Sequence, residues 1–244
     1  MDIHKPKPWH GVREFLKEYV IIVIGVLTAL GAEQGVEWLH WRHLAERAEA
    51  ELAAGMQPDL INAATEIAAQ PCFRAWMAPL AARLQTPDPN WQGAPLHISI
   101  SGGTPLTPIV FAIPGYVWSH AAWETATASG VLNHVPQDRV QRYAELYRLV
   151  DLVRTTVVTA ADTADELAPL GINRRLAESE KAAYVQRLSH LERIVHNQAR
   201  LSRLILQGAH ELGVDPAPEQ VRTRLDEQRH FYGPCVADLK LPLS

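Results

Sequence analysis

Three groupings in this sequence carry side chains suited to chemistry. His40 and His43 stand three residues apart, a helical spacing that can chelate a metal, and Glu192 and His196, four apart and close to His190, form a second donor group. The competing reading for His40 and His43 is a place at the membrane interface beside Trp38 and Trp41, and for Glu192 and His196 it is a solvated helix face. The third is the densest motif, "WETATASG" from Trp123 to Gly130. Here Trp118 and Trp123 supply large rings, and Glu124 is placed to act as an acid, a base or a ligand contact. Its structural alternative puts both rings in a helical core and pairs Glu124 with an arginine. The usual catalytic signatures are missing. "SISGGTPLTP" lacks the Gly-Lys-Ser/Thr end of a phosphate-binding loop, and there is no GxGxxG, HExxH or GxSxG. The structural readings are favoured, so no metal, cofactor or catalytic residue is expected.

The elements that position these groups begin with a membrane-like stretch. Tyr19 to Ala32, "YVIIVIGVLTALGA", holds no charge and, apart from the Tyr19 phenol at its edge, one hydroxyl. Fourteen residues fall short of the roughly 20 that a bilayer core needs. Tyr19 and Trp38 repair this as interfacial anchors about 28 Å apart along a helix, with Trp41 as a further one. Glu33, Gln34 and Glu37 would then lie among headgroups. A cleavable signal peptide is the alternative, but Glu14 and Glu18 occupy its basic region and the helical pattern continues without a turn. Lys5, Lys7, Arg13 and Lys17 precede the span, against Arg42 and Arg47 after it, which predicts the N-terminus inside. The expected organisation is a cytoplasmic segment 1–18, a span 19–38 and a domain 39–244, periplasmic if the host is a bacterium. Gly25, Thr28, Ala29, Ala32 and Gly35 share one side of the span, a face suited to self-association or to packing on a partner helix.

Composition is compatible with this. The 244 residues are 47% hydrophobic and 20% charged, which excludes disorder and a polytopic membrane protein. A net charge of −4 argues against nucleic acid as a partner. Cys72 and Cys235 fit no zinc or redox motif; they are either a disulfide, if the domain faces an oxidising compartment, or two buried thiols.

Beyond the span the pattern predicts an all-α fold, a helical bundle interrupted by one irregular segment. The first helix continues to about Gly55, Pro58 interrupts it, a second resumes from an Asp59 cap, and Pro71 opens a third. Residues 86–115 are rich in Pro and Gly and enclose "LHISIS", which alternates like a hairpin strand. A helix over "YVWSHAAWETATAS" ends at Gly130, and Pro136 opens a long amphipathic one. The next helix, about Arg175 to Leu212, must pack antiparallel on it, and a last helix runs from Pro216 and Pro218 to Gly233. The stretch from Asn173 to Gln207 carries seven Arg/Lys against three Glu, so Arg187, Arg193, Arg200 and Arg203 form either a face for an anionic partner or a solvated face answering Asp162, Asp165 and Glu166.

Two stretches, "FLKEYVIIVIGVLTALGAEQGVEWLHWR" and "AAWETATASGVLNHVPQDRVQRYAELY", together resemble the anchor and central WExAxxSG motif of a group of uncharacterised proteobacterial single-pass membrane proteins. They cover a little over a fifth of the chain. The resemblance implies an inner-membrane anchor and a helical domain, and transfers no activity. The leading expectation is a non-enzymatic interaction or accessory subunit whose partners are the bilayer and a protein or second copy in the membrane. The alternatives are a periplasmic ligand-binding sensor, its pocket formed by the Pro-rich loop with Trp118 and Trp123, and an enzyme using Glu124 or a histidine.

Overall fold

The computed structural model describes residues 11–94, 110–113 and 115–241. Its spine is one α-helix of 73 residues, Val12–Leu84 (α1), which at about 1.5 Å per residue extends for some 110 Å. Then come α2 (Ala121–Ser129), α3 (Gln137–Asp165), α4 (Glu178–Glu211) and α5 (Pro218–Tyr232). Single 3-10 turns cover Val131–His134 and Ala168–Gly171. Two short strands, β1 (Asn90–Trp91) and β2 (Arg174–Arg175), pair antiparallel. The fold is all-α, as the periodicity predicts.

Ion pairs record how the helices run. Arg142 at the start of α3 meets Glu211 at the end of α4, and Glu166 just past α3 meets Arg187 near the start of α4. The two helices are therefore antiparallel. Lys181 of α4 donates to the Thr86 carbonyl beyond the end of α1, while Gln70 approaches His196 further along, so α4 is antiparallel to α1 as well. The α5 helix runs with α1. Gln57 holds Asp215 and Ala217 ahead of its start, and Phe73 and Trp76 meet Tyr232 at its end. Between them, α1 is enclosed at every position from Asp59 to Ala69. A helix surrounded on all sides belongs to a core, and here Leu60, Ala63, Ala64 and Ala68 are completely buried.

Pro58, Pro71 and Pro79 lie inside α1, so the expected breaks at Pro58 and Pro71 and the Asp59 cap are corrected. A proline within a helix costs about 3 kcal/mol. All three sit at exposed positions, and α1 between and beside them is held by α4 and α5. Tertiary packing offsets what local propensity disfavours. Gly55 ends nothing. It admits α2, because a Cβ there would stand 2.6 Å from that of Ala122.

Other boundaries move by a few residues. The segment 116–120 forms neither helix nor strand, and α2 starts at Ala121. Pro136 is the residue before α3, and Arg175 lies in β2, ahead of α4. Gly130 takes the expected left-handed cap, φ 71°. "LHISIS" and most of the 86–115 segment lie outside the described residues. Within its described part, Asn90–Trp91 pairs with a partner more than eighty residues away instead of a neighbour. The ring of Trp91 holds that junction: its Nε1 donates to the Leu170 carbonyl at 2.8 Å, and Arg83 covers its face at 4.1 Å.

Candidate functional site

The most exposed apolar surface is the first part of α1. From Val12 to His40 every residue whose side chain is described is exposed except Val23, which is half-buried. Ile21, Ile22, Ile24, Leu27 and Val36 are each more than half exposed. The helix is long and apolar enough to cross a membrane, and none of its most apolar part is buried against the protein. Of the proposed anchors, Tyr19 and Trp38 are exposed, and Trp41 is half-buried because His134 stacks on it at 3.9 Å. Gly25 and Gly35 have open space where a side chain would go. The hydroxyl of Thr28 donates to the Ile24 carbonyl, leaving that face without an unsatisfied donor. His43 faces Glu46 at 3.7 Å rather than a metal-ligand cluster.

The far half of α1 is tied to the C-terminal segment. Cys72 and Cys235 are joined by a disulfide with Cα atoms 5.0 Å apart, across 163 residues of sequence. Ala237 N–H donates to the Ala68 carbonyl beside it. Phe73, Trp76 and Tyr232 cluster next to the bridge with ring centroids 5.3–6.0 Å apart.

Between these two regions lies a line of polar groups that the sequence pattern did not reveal. Asp59, Asn62, Thr65 and Glu66 project from one stretch of α1, and all are buried. Two of them hold the segment 116–120 against the helix. Asp59 Oδ1 accepts from Ser119 N–H at 3.1 Å, and Asn62 Nδ2 donates to the Val117 carbonyl at 3.0 Å. Burial pushes the Asp59 carboxyl up from 3.8 to about 7, against a smaller downward pull from the Ser119 N–H. Burial alone lifts Glu66 from 4.5 to about 7. Glu66 in turn adds to the burial that drives the Tyr116 and Tyr232 hydroxyls upward. Among the described residues, Asp59 Oδ2, Tyr116 Oη, Trp118 Nε1 and His120 Nε2 are buried without a hydrogen bond. His120 Nε2 stands 4.0 Å from Asp151, outside hydrogen-bond reach. A buried orphaned polar group costs about 1–3 kcal/mol. The signal available in sequence was Asp59, Asn62 and Glu66 at offsets of three and seven; reading Pro58 as a break turned Asp59 into a cap and hid it.

Trp118 belongs to this cluster and is 4% exposed, while Trp123 is half-buried and stacks on Tyr147 at 5.6 Å. Glu124 is exposed, and among the described residues it has no ion pair, so the expected arginine partner is not present. The arginines of α4 divide in a similar way. Arg187 is paired with Glu166 at 2.8 Å, and Arg200 donates to Asn197. Arg193 lines a groove with Arg74 of α1, together with Glu192 and His196, whereas His190 is not in that lining and approaches Arg193 at 3.5 Å. Arg203 is exposed.

The chain matches no protein-family model, no curated protein and no solved structure.

Proposed function

We propose that this chain is a membrane-anchored, non-enzymatic interaction or accessory subunit. Its N-terminus lies in the cytoplasm, the exposed apolar part of α1 spans the bacterial inner membrane, and the helical domain stands in the periplasm. The observation that carries the reading is the continuity of α1. One helix passes from bare apolar turns into a stretch enclosed by the rest of the domain. A helix without a joint transmits position and rotation between a span and a domain, which suits an element of a larger assembly better than a flexible tether would.

Further support comes from the first contact of the domain. His134 stacks on Trp41, three residues past Trp38, or about 5 Å along the helix. The domain would thus rest at the headgroup level with its orientation set. The Cys72–Cys235 bridge suits an oxidising compartment, and the basic residues before the span favour the same orientation. The small-residue face from Gly25 to Gly35 gives a partner helix or a second copy a place to approach closely.

A second reading, a ligand-binding domain that acts through a partner, is favoured by the orphaned buried groups around Trp118. Crosslinking in native membranes, mild detergent extraction and mass spectrometry of the co-purified proteins separate the two. The accessory-subunit reading predicts stoichiometric recovery of a membrane partner or of a defined homo-oligomer. Recovery of the monomer alone would contradict it and favour the ligand-binding reading.

A further inference from the structure

Where α1 and α4 pack beyond the disulfide, charges from distant parts of the sequence converge on one groove of about 450 Å³. Its apolar surface comes from Phe73, Met77 and Val195, all buried. Arg74 enters from α1 and Arg193 from α4, and both are exposed. Gln70 Nε2 and His196 Nδ1 approach across the groove at 3.5 Å. Glu192 is the single carboxylate in the lining, against two guanidinium groups. Among the described residues neither arginine is matched by an acidic partner; Arg193 has only the ring of His190, at 3.5 Å.

This combination selects its ligand by exclusion. The volume falls within the roughly 300–1,000 Å³ of small-molecule sites. A cation would meet two like charges. A compact inorganic anion would leave the apolar floor uncovered and face Glu192. A neutral apolar molecule would cover the floor but make no use of the guanidinium forks, which bind carboxylates in a bidentate manner. The floor itself is adaptable, since Met77 has an unbranched polarizable side chain. We propose that the α1–α4 groove binds a small organic monocarboxylate with an apolar, ring-sized body. The carboxylate sits between Arg74 and Arg193, and the body lies on Phe73, Met77 and Val195. The groove is in the domain and far along α1 from the span, so its occupancy does not depend on anchoring.

Isothermal titration of the full chain in mild detergent with sodium benzoate tests this, with detergent alone as the blank. Saturable binding is expected at about millimolar concentration or tighter, as suits so small a ligand. Benzyl alcohol, which keeps the ring and lacks the charge, should bind about tenfold more weakly or worse, the loss of one good charged contact. The double variant Arg74→Gln/Arg193→Gln should weaken benzoate by a similar factor, and inorganic phosphate should not displace it. The proposal is overturned if benzoate shows no saturation below roughly 20 mM, if benzyl alcohol binds as well, or if phosphate competes. Unchanged affinity in a folded double variant overturns it too. The comparison of benzoate with benzyl alcohol uses the unaltered protein and decides the matter even if the variant does not fold.

Discussion

Replacing Cys72 and Cys235 with alanine is expected to lower the unfolding free energy of the domain by about 2–5 kcal/mol. The bridge closes a loop across 163 residues, long enough that the chain-entropy contribution falls near the top of this range. Native contacts are at risk as well. The bridge sits beside the Ala237–Ala68 hydrogen bond and the Phe73, Trp76 and Tyr232 rings, so its loss lets the C-terminal segment come away from α1. Urea unfolding of the full chain in detergent, followed by tryptophan fluorescence, measures the effect. The midpoint should drop in the variant, and reductant should shift the unaltered protein by a comparable amount while leaving the variant unmoved. A midpoint unaffected by either treatment would mean that the bridge contributes nothing to stability.

The second large effect is on pH dependence. Asp59 and Glu66 both titrate near 7 in the folded protein because burial disfavours their charged forms. In the unfolded chain they return to 3.8 and 4.5. Between those values and about pH 7 the folded state holds protons that the unfolded state has released. The stability these two groups contribute is therefore greatest below about pH 4, falls as pH rises towards 7 and levels off above it. Displacements of this size are each worth about 3–4 kcal/mol. Asp59→Asn and Glu66→Gln imitate the protonated acids and cannot ionise. Each is expected to flatten its share of the slope and to leave the protein more stable than the original at pH 8. The Asp59→Asn side chain keeps an oxygen for Ser119 N–H, so the segment 116–120 stays in place. Urea midpoints measured from pH 4.5 to 8.5 report the outcome. Stability that rises over this range, or variants that lose it at every pH, would overturn the assignment of two buried, neutral carboxyls.

What was legible in the sequence, and what was not, follows from where each interaction partner lies. The bare part of α1 is not buried by any described part of the chain, so Tyr19 to Ala32 is legible through its composition alone. In α3 and α4 the buried residues recur along one face at helical spacing, as Tyr143, Tyr147 and Val150 or Leu188, Leu191 and Ile194 do, and Gly130 marks a turn only glycine enters easily; these are local signals. Pro58 and Pro71 carry an equally local signal, yet it misleads, because the packing that keeps α1 helical through them comes from α4 and α5. The same is true of β1 and β2, which meet only after α2 and α3 have intervened. Asp59 and Glu66 resemble surface residues until the helix around them is known to be enclosed. The arginines of α4 read as one face, but the structure sorts them: Arg187 answers Glu166, while Arg193 turns to a groove whose other cation, Arg74, lies on a different helix.

The central claim is that α1 is retained as a membrane anchor and that the domain it carries faces an oxidising compartment. Alkaline extraction of membranes from cells producing the full chain, followed by maleimide–polyethylene glycol labelling with and without reductant, tests both halves at once. The account predicts an untrimmed chain in the membrane pellet that takes no label until reduced, and then takes a label on each of Cys72 and Cys235. A chain released to the soluble fraction, shortened at its N-terminus, or labelled without reductant would contradict it.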